Sequence, residues 1–150
     1  MSAGPEILAL AMRSLPHGPE FRFVDRMASL TPGVEGVGEY LVRGDEYYLR
    51  GHLPGEPILP GVLLVESAAQ VAGMVAQEDP ANPRWPRLKL TALRAVKILG
   101  SARPGETLRI EARVTAVLGD MIQAQVSAVI GEVKVLSAEL SLSGNGPKKL

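Results

Sequence analysis

Residues 51–77 read GHLPGEPILPGVLLVESAAQVAGMVAQ, and the fold turns on how this stretch divides. Its first eleven positions, 51–61, hold three glycines and three prolines. No helix or central strand tolerates that density, so they read as an ordered loop. Over 60–77 the pattern becomes helical. Pro60 suits a first helical turn, where its missing N–H would go unpaired in any case. Asp79-Pro80 and Asn82-Pro83 stop the helix. It is apolar almost all round, which predicts burial rather than a place on the surface. Its polar exceptions are Glu66, Ser67, Gln70 and Gln77, and Glu66, Gln70, Gly73 and Gln77 fall on one narrow stripe at i, i+4, i+7 and i+11.

Outward from this helix the sequence turns to strands. On the N-terminal side, 5–15 (PEILALAMRSL) reads as a short helix with Ile7, Leu8, Ala11 and Leu15 on one face. Residues 16–26 (PHGPEFRFVDR) read as a loop entering a strand, and 34–43 (VEGVGEYLVR) as a strand weakened by glycines. On the C-terminal side, 91–99, 107–118, 121–130 and 132–142 read as strands. The second is the clearest, since Arg109, Glu111, Arg113 and Thr115 alternate with Ile110, Ala112, Val114 and Ala116. Leu118-Gly119-Asp120 and Gly131 read as tight turns, so the last three runs form an antiparallel meander. An antiparallel sheet wrapped around the one long helix is the economical way to bury it, an α+β fold. Such a sheet leaves an edge strand that can pair with a second copy of the chain.

The 150 residues are 46% hydrophobic and 21% charged, a balance that suits a single domain over 1–150 with a core that needs no staples. Residues 1–15 carry the N-terminal helix, and 143–150 read as a frayed tail. Sixteen basic side chains balance sixteen acidic ones, so the overall charge leaves no footprint for nucleic acid. The chain has no cysteine, which excludes disulfides and thiolate chemistry. The apolar stretch 7–12 lacks the basic start and length of a signal peptide, and no run reaches the roughly 18 apolar residues of a membrane span. The expectation is a cytoplasmic protein without a membrane partner.

Two histidines occur, His17 and His52, and neither has the carboxylate spacing of a metal site. No glycine-rich phosphate loop joins a strand to a helix, so no metal or cofactor is expected. His52 stands in Gly51-His52-Leu53-Pro54-Gly55, a stiff loop that can hold an imidazole in one orientation; it reads either as a base or as a hydrogen-bonded loop histidine. Glu66 lies in the helix expected to be buried. Burial favours the neutral carboxyl, the form a general acid needs, while the plainer reading is a polar stripe reaching solvent or a subunit interface. Gln70 would orient that carboxyl or line the same interface. The N–H groups of Gly61 and Val62 have no intrahelical partner, and the helix dipole adds positive potential there. They form either a water-capped helix start or a dock for an oxygen gaining charge. A base, an acid and such a dock around one loop–helix unit suit proton abstraction alpha to a thioester carbonyl, with loss of a beta leaving group.

The segment GHLPGEPILPGVLLVESAAQ closely resembles the signature of the bacterial 3-hydroxyacyl-acyl-carrier-protein dehydratases, GHFPG, then PGV, then a helix with a glutamate before AQ. LPHGPEFRFVDR, residues 15–26, is similar to that family's LPHRYPFLLVDR, and Val96-Lys97-Ile98 followed by Arg103-Pro104-Gly105-Glu106 is a weaker third match. The resemblance covers about residues 14–142. It implies a hot-dog fold, a homodimer and often a trimer of dimers (a hexamer), acting on acyl carrier protein bearing a 3-hydroxyacyl chain. It places the catalytic histidine at His52 and the catalytic glutamate at Glu66 of the opposite subunit. His52 would take a C2 proton, Glu66 would protonate the departing C3 hydroxyl, and the Gly61 N–H would hold the thioester oxygen. The acyl chain would lie in an apolar tunnel along the dimer interface, with no cofactor. Leu53 and Ile98 stand where the family has phenylalanine, and Gly18-Pro19-Glu20 stands in place of Arg-Tyr-Pro, which alters the tunnel and the loop.

Two other readings share the fold, an acyl thioesterase and a non-catalytic subunit that binds acyl carrier protein. The shaped histidine loop speaks against the first, and the retention of both His52 and Glu66 against the second. Arg84, Arg87, Lys89, Arg94, Lys97 and Arg103 crowd the segment after the helix and are the candidates for meeting an acidic carrier, against the plainer reading of a solvated surface.

Overall fold

The computed structural model describes residues 2–144. The order is α1 (Pro5–Arg13), a 3-10 turn (Pro19–Phe21), β1 (Arg26–Thr31), β2 (Glu35–Leu41), α2 (Tyr47–His52), α3 (Gly61–Val75), β3 (Lys89–Ile98), β4 (Thr107–Leu118), β5 (Met121–Ile130) and β6 (Val133–Ser143). The strands form one six-stranded sheet in the order β1-β2-β4-β5-β6-β3, and every neighbouring pair is antiparallel. The β4-β5-β6 meander is as expected, with Gly119 and Gly131 at φ +65° and +60° in its two turns. On β4, Leu108, Ile110 and Ala112 face the core while Arg109, Glu111 and Arg113 face out.

The sheet wraps α3, which packs on β2, β4, β5 and β6; this is the hot-dog arrangement. Leu64, Ala68, Val71, Ala72, Met74 and Val75 of the helix are buried. The glycines of β2 mark the closest approach. A Cβ on Gly36 would lie 2.9 Å from Cγ2 of Val75, and one on Gly38 would lie 2.8 Å from Cγ2 of Val71. They trade strand propensity for contact with the helix. α1 lies over β1, with Ala11 and Leu15 in the core, and Ala3 N–H donates to Leu30 O at 2.7 Å, so that edge of the sheet is covered. β3, the other edge, is bare. Leu93, Val96 and Ile98 are 48%, 37% and 48% exposed. A bulge between Arg94 and Lys97, with Ala95 at φ +52°, bends this edge.

Four expectations are corrected. Gly51 and His52 close the last turn of α2, so the ordered loop starts at Leu53 rather than at Gly51. A six-residue helix is too short to leave a periodic signal, and tertiary contacts hold it. Pro60 is not inside the first turn of α3 but is its N-cap, whose carbonyl accepts from Leu63 N–H at 2.8 Å. The run 21–24 is no strand entry; β1 starts only at Arg26. Ser143, placed in the tail, belongs to β6, and the rest of that tail, 145–150, lies outside the described residues.

Candidate active site

The stripe Glu66, Gln70, Gly73 and Gln77 lines a cavity of about 230 Å³, whose other lining includes the chain around His17, Trp85, Leu88 and Leu90. In its wall, Glu66 Oε1 accepts from Gln70 Nε2 at 3.2 Å and lies 3.3 Å from His17 Nε2. The Glu66 side chain is 21% exposed, less sealed than an apolar helix implied. Both contacts fall on Oε1, which leaves Oε2 for a substrate.

Segment 17–24 reaches this place because α3 straps it down. Gln70 Oε1 accepts from Phe23 N–H at 2.9 Å, and Gln70 Nε2 also donates to Phe21 O at 2.8 Å. Ser67 Oγ donates to Phe23 O at 2.6 Å. The chain thus trades sheet pairing for side chains of the helix, and the loop is closed by Arg22 Nε donating to His17 O at 2.7 Å. All three polar bonds of the Gln70 amide are satisfied in one orientation. His17 Nδ1 is buried and has no partner.

His52 ends α2 and is exposed. Its Nδ1 lies 3.3 Å from Ile58 O. A carbonyl only accepts, so this contact needs the proton on Nδ1, the tautomer that leaves the Nε2 lone pair bare in a neutral ring. Within one chain, no hydrogen bond or ion pair joins His52 to Glu66; the imidazole that meets Glu66 is that of His17. Leu53, next to His52, is 42% exposed. At the start of α3 the first helical bond is Leu63 N–H to Pro60 O, so the N–H groups of Gly61 and Val62 stand ahead of it. Val62 is 72% exposed. A Cβ on Gly61 would lie 3.0 Å from Cδ1 of Ile98, so the helix start abuts the bare β3 edge.

A second polar cluster holds α2. Tyr40 OH donates to Glu46 Oε2 at 2.8 Å and lies 2.8 Å from Tyr48 OH, while the N–H groups of Arg43 and Gly44 donate to the same carboxylate. The Tyr48 ring meets Phe23 edge-on at 5.4 Å, which ties α2 to the strapped segment. Burial pushes the Tyr48 hydroxyl up to about 12 and raises Tyr40 well above its ordinary range. Burial alone would raise Glu46, but bonds from Tyr40, Gly44 and Arg43 bring its carboxyl below the usual range.

Sequence reasoning assigned no role to His17, Trp85 or the Tyr40–Glu46–Tyr48 cluster. The signal for His17 was its place in LPHGPE, the second family-like motif. Arg84, Arg87, Lys89, Arg94, Lys97 and Arg103 are all exposed, although Arg94 Nε pairs with Glu139 at 3.3 Å and Arg84 lies over the Trp85 ring. No cluster of three potential metal ligands occurs among the described residues, and no helix of them is long and apolar enough to cross a membrane.

A family profile described as a FabA-like domain matches residues 15–139. The chain is 37% identical over 145 residues to a protein of Chloroflexus aggregans named 3-hydroxyacyl-[acyl-carrier-protein] dehydratase FabZ, covering 96% of each. It is 40% identical over 108 residues to the protein of the same name from Roseiflexus sp. strain RS-1, covering 72% of each. Among solved structures, the dehydratase heterocomplex ApeI:P from Xenorhabdus doucetiae superposes with a TM-score of 0.77 at 16% identity, over 91% of each chain. The PaaI protein of E. coli superposes with a TM-score of 0.61 at 16% identity, over 80% of this chain and 78% of that one. At these identities the two structures speak for the fold alone.

Proposed function

This chain belongs to the FabA-like domain family, and from that premise we propose that it removes water from 3-hydroxyacyl chains on acyl carrier protein, with His52 and Glu66 as its acid–base pair. It is a hydro-lyase. The observation that carries the residue assignment is Glu66 in the wall of the cavity, held through Oε1 by Gln70 and His17 with Oε2 outside those contacts.

The bare Nε2 of His52 takes a proton from C2. Charge gathers on the thioester oxygen, where the N–H groups of Gly61 and Val62 and the positive end of α3 oppose it. The C3–O bond breaks as Glu66 Oε2 delivers its proton to the leaving hydroxyl, and water departs from the new C2=C3 double bond. His52 ends protonated and Glu66 ionised; passing that proton back resets the site.

Since His52 and Glu66 of one chain do not meet, a second copy supplies the partner of each pair. The bare apolar edge of β3 supports this, because an unpaired strand with exposed Leu93, Val96 and Ile98 is a surface that pairing buries. Ile98 also packs beside Gly61 at the start of α3, so the edge and the oxyanion dock share one side of the molecule.

Incubation with a 3-hydroxyacyl carrier thioester tests the reading. Enoyl absorbance without free thiol is the expected result. Free thiol would mean a thioesterase, and no turnover a non-catalytic carrier-binding subunit.

A further inference from the structure

The cavity below α3 has a direction and an end. On the helix side its lining residues are Glu66, Ala69, Gln70, Gly73, Met74 and Gln77. The first five share one face of α3 and Gln77 follows two residues past its end, so the space runs along the helix axis. At about 1.5 Å of rise per residue, Glu66 and Gln77 stand about 16 Å apart. Leu88, Leu90 and Leu142 form the opposite wall. The amides of the stripe are spent, Gln70 on Phe21, Phe23 and Glu66, and Gln77 on Trp85. What faces an occupant between the Glu66 carboxyl and the Trp85 indole is then mainly Leu15, Ala69, Met74, Leu88, Leu90 and Leu142, with His17 beside the carboxyl.

That far end is built stiffly. Gln77 Nε2 donates to Trp85 O at 2.7 Å, and Trp85 N–H donates to Gln77 Oε1 at 3.0 Å. The ring is 7% exposed and packs with Ala76 and Ile122. The backbone of Gly144 lies behind it, so close that a Cβ there would come 2.5 Å from Cε3. The Arg84 guanidinium covers it 4.7 Å from the ring centre. The indole cannot swing aside without breaking these contacts.

We propose that Trp85 is the length-limiting residue of the acyl site, so that the enzyme is a medium-chain dehydratase. The inference rests on the dehydratase reading above. A C–C bond of about 1.5 Å at a tetrahedral angle advances an extended chain by about 1.25 Å per carbon. Allowing about 4 Å for non-bonded contact leaves about 12 Å, or some nine carbons beyond the C3 that Glu66 serves. Chains of about 12 carbons reach the indole, and longer ones collide with it.

Trp85 is the single tryptophan of the chain, so its emission reports contact without any substitution. Pantetheine thioesters of 3-hydroxyacyl chains with a terminal bromine, running from short to long, are the probes. Strong quenching at about ten to twelve carbons and little at six is the expected result; quenching that ignores length overturns the proposal. In turnover, kcat/KM should fall at least roughly 10-fold from twelve to sixteen carbons, the scale of a pocket refusing extra methylenes. Trp85→Leu should recover that loss, and an unaltered cut-off in a folded Trp85→Leu overturns the proposal as well. No turnover at any length would instead defeat the dehydratase reading, while the quenching series still shows whether an acyl chain reaches Trp85.

Discussion

Gln70→Met should cost the protein about 1.5–4 kcal/mol of stability, and the sum can be worked bond by bond. Gln70 is 2% exposed. Methionine keeps its length and removes only the amide. Phe23, 1% exposed, loses the acceptor for its N–H, and a buried donor left without a partner costs about 1–3 kcal/mol. Phe21 is 43% exposed, so water can replace the amide on its carbonyl, a loss of about 0.5–1 kcal/mol. Glu66 keeps His17 and reaches solvent. Against a total of roughly 5–15 kcal/mol this is a large fraction, equivalent to a fall in Tm of about 2–4 °C for each kcal/mol at this chain length. The assay is urea unfolding at one fixed protomer concentration, because the midpoint of a dimer moves with concentration. Gln125→Met is the control, an exposed amide bonded to Arg113 at 2.6 Å, where a change within about 0.5 kcal/mol is expected. Turnover should fall as well, by roughly 10- to 100-fold, because the Glu66 carboxyl loses the donor that orients it. A stability loss below about 1 kcal/mol, or one equal to the control, would refute the idea that α3 carries segment 17–24 through this amide.

Mixing His52→Ala subunits with Glu66→Gln subunits under exchange should restore one working site per heterodimer, read as turnover; exchange without recovery defeats the shared site. Arg87→Glu with Lys89→Glu should weaken binding of acyl carrier protein, with the difference shrinking as salt rises; binding indifferent to both salt and substitution removes the patch. Tyr48, raised from about 10 to about 12, contributes stability that is whole below about pH 10 and is lost as pH climbs toward 12, so Tyr48→Phe should flatten the alkaline limb of a midpoint-against-pH curve. The lowered carboxyl of Glu46 has the opposite sign: its contribution is present above the ordinary carboxylate range and disappears as pH falls through it, so Glu46→Gln should flatten the acid limb.

What the sequence alone determined is whatever repeats along the chain. An apolar α3 with one polar stripe, and β4 to β6 alternating between turns, already require a sheet around a helix, because periodicity states which faces must leave water. The motifs around His52 and Glu66 pointed to thioester chemistry for the same local reason. Tertiary structure alone decided where the stripe leads. His17 meets Glu66 from 49 positions away only because Gln70 and Ser67 hold the backbone of Phe23, and a bond between a side chain and a remote backbone leaves no period to read. The same holds for α2, kept helical by Tyr48 against Tyr40 and Phe23. It holds too for Trp85, whose place at the end of the cavity follows from a clamp by Gln77 and the backing of Gly144. Local pattern sets which surfaces are buried, but which remote segment covers each one is settled only when the whole chain packs.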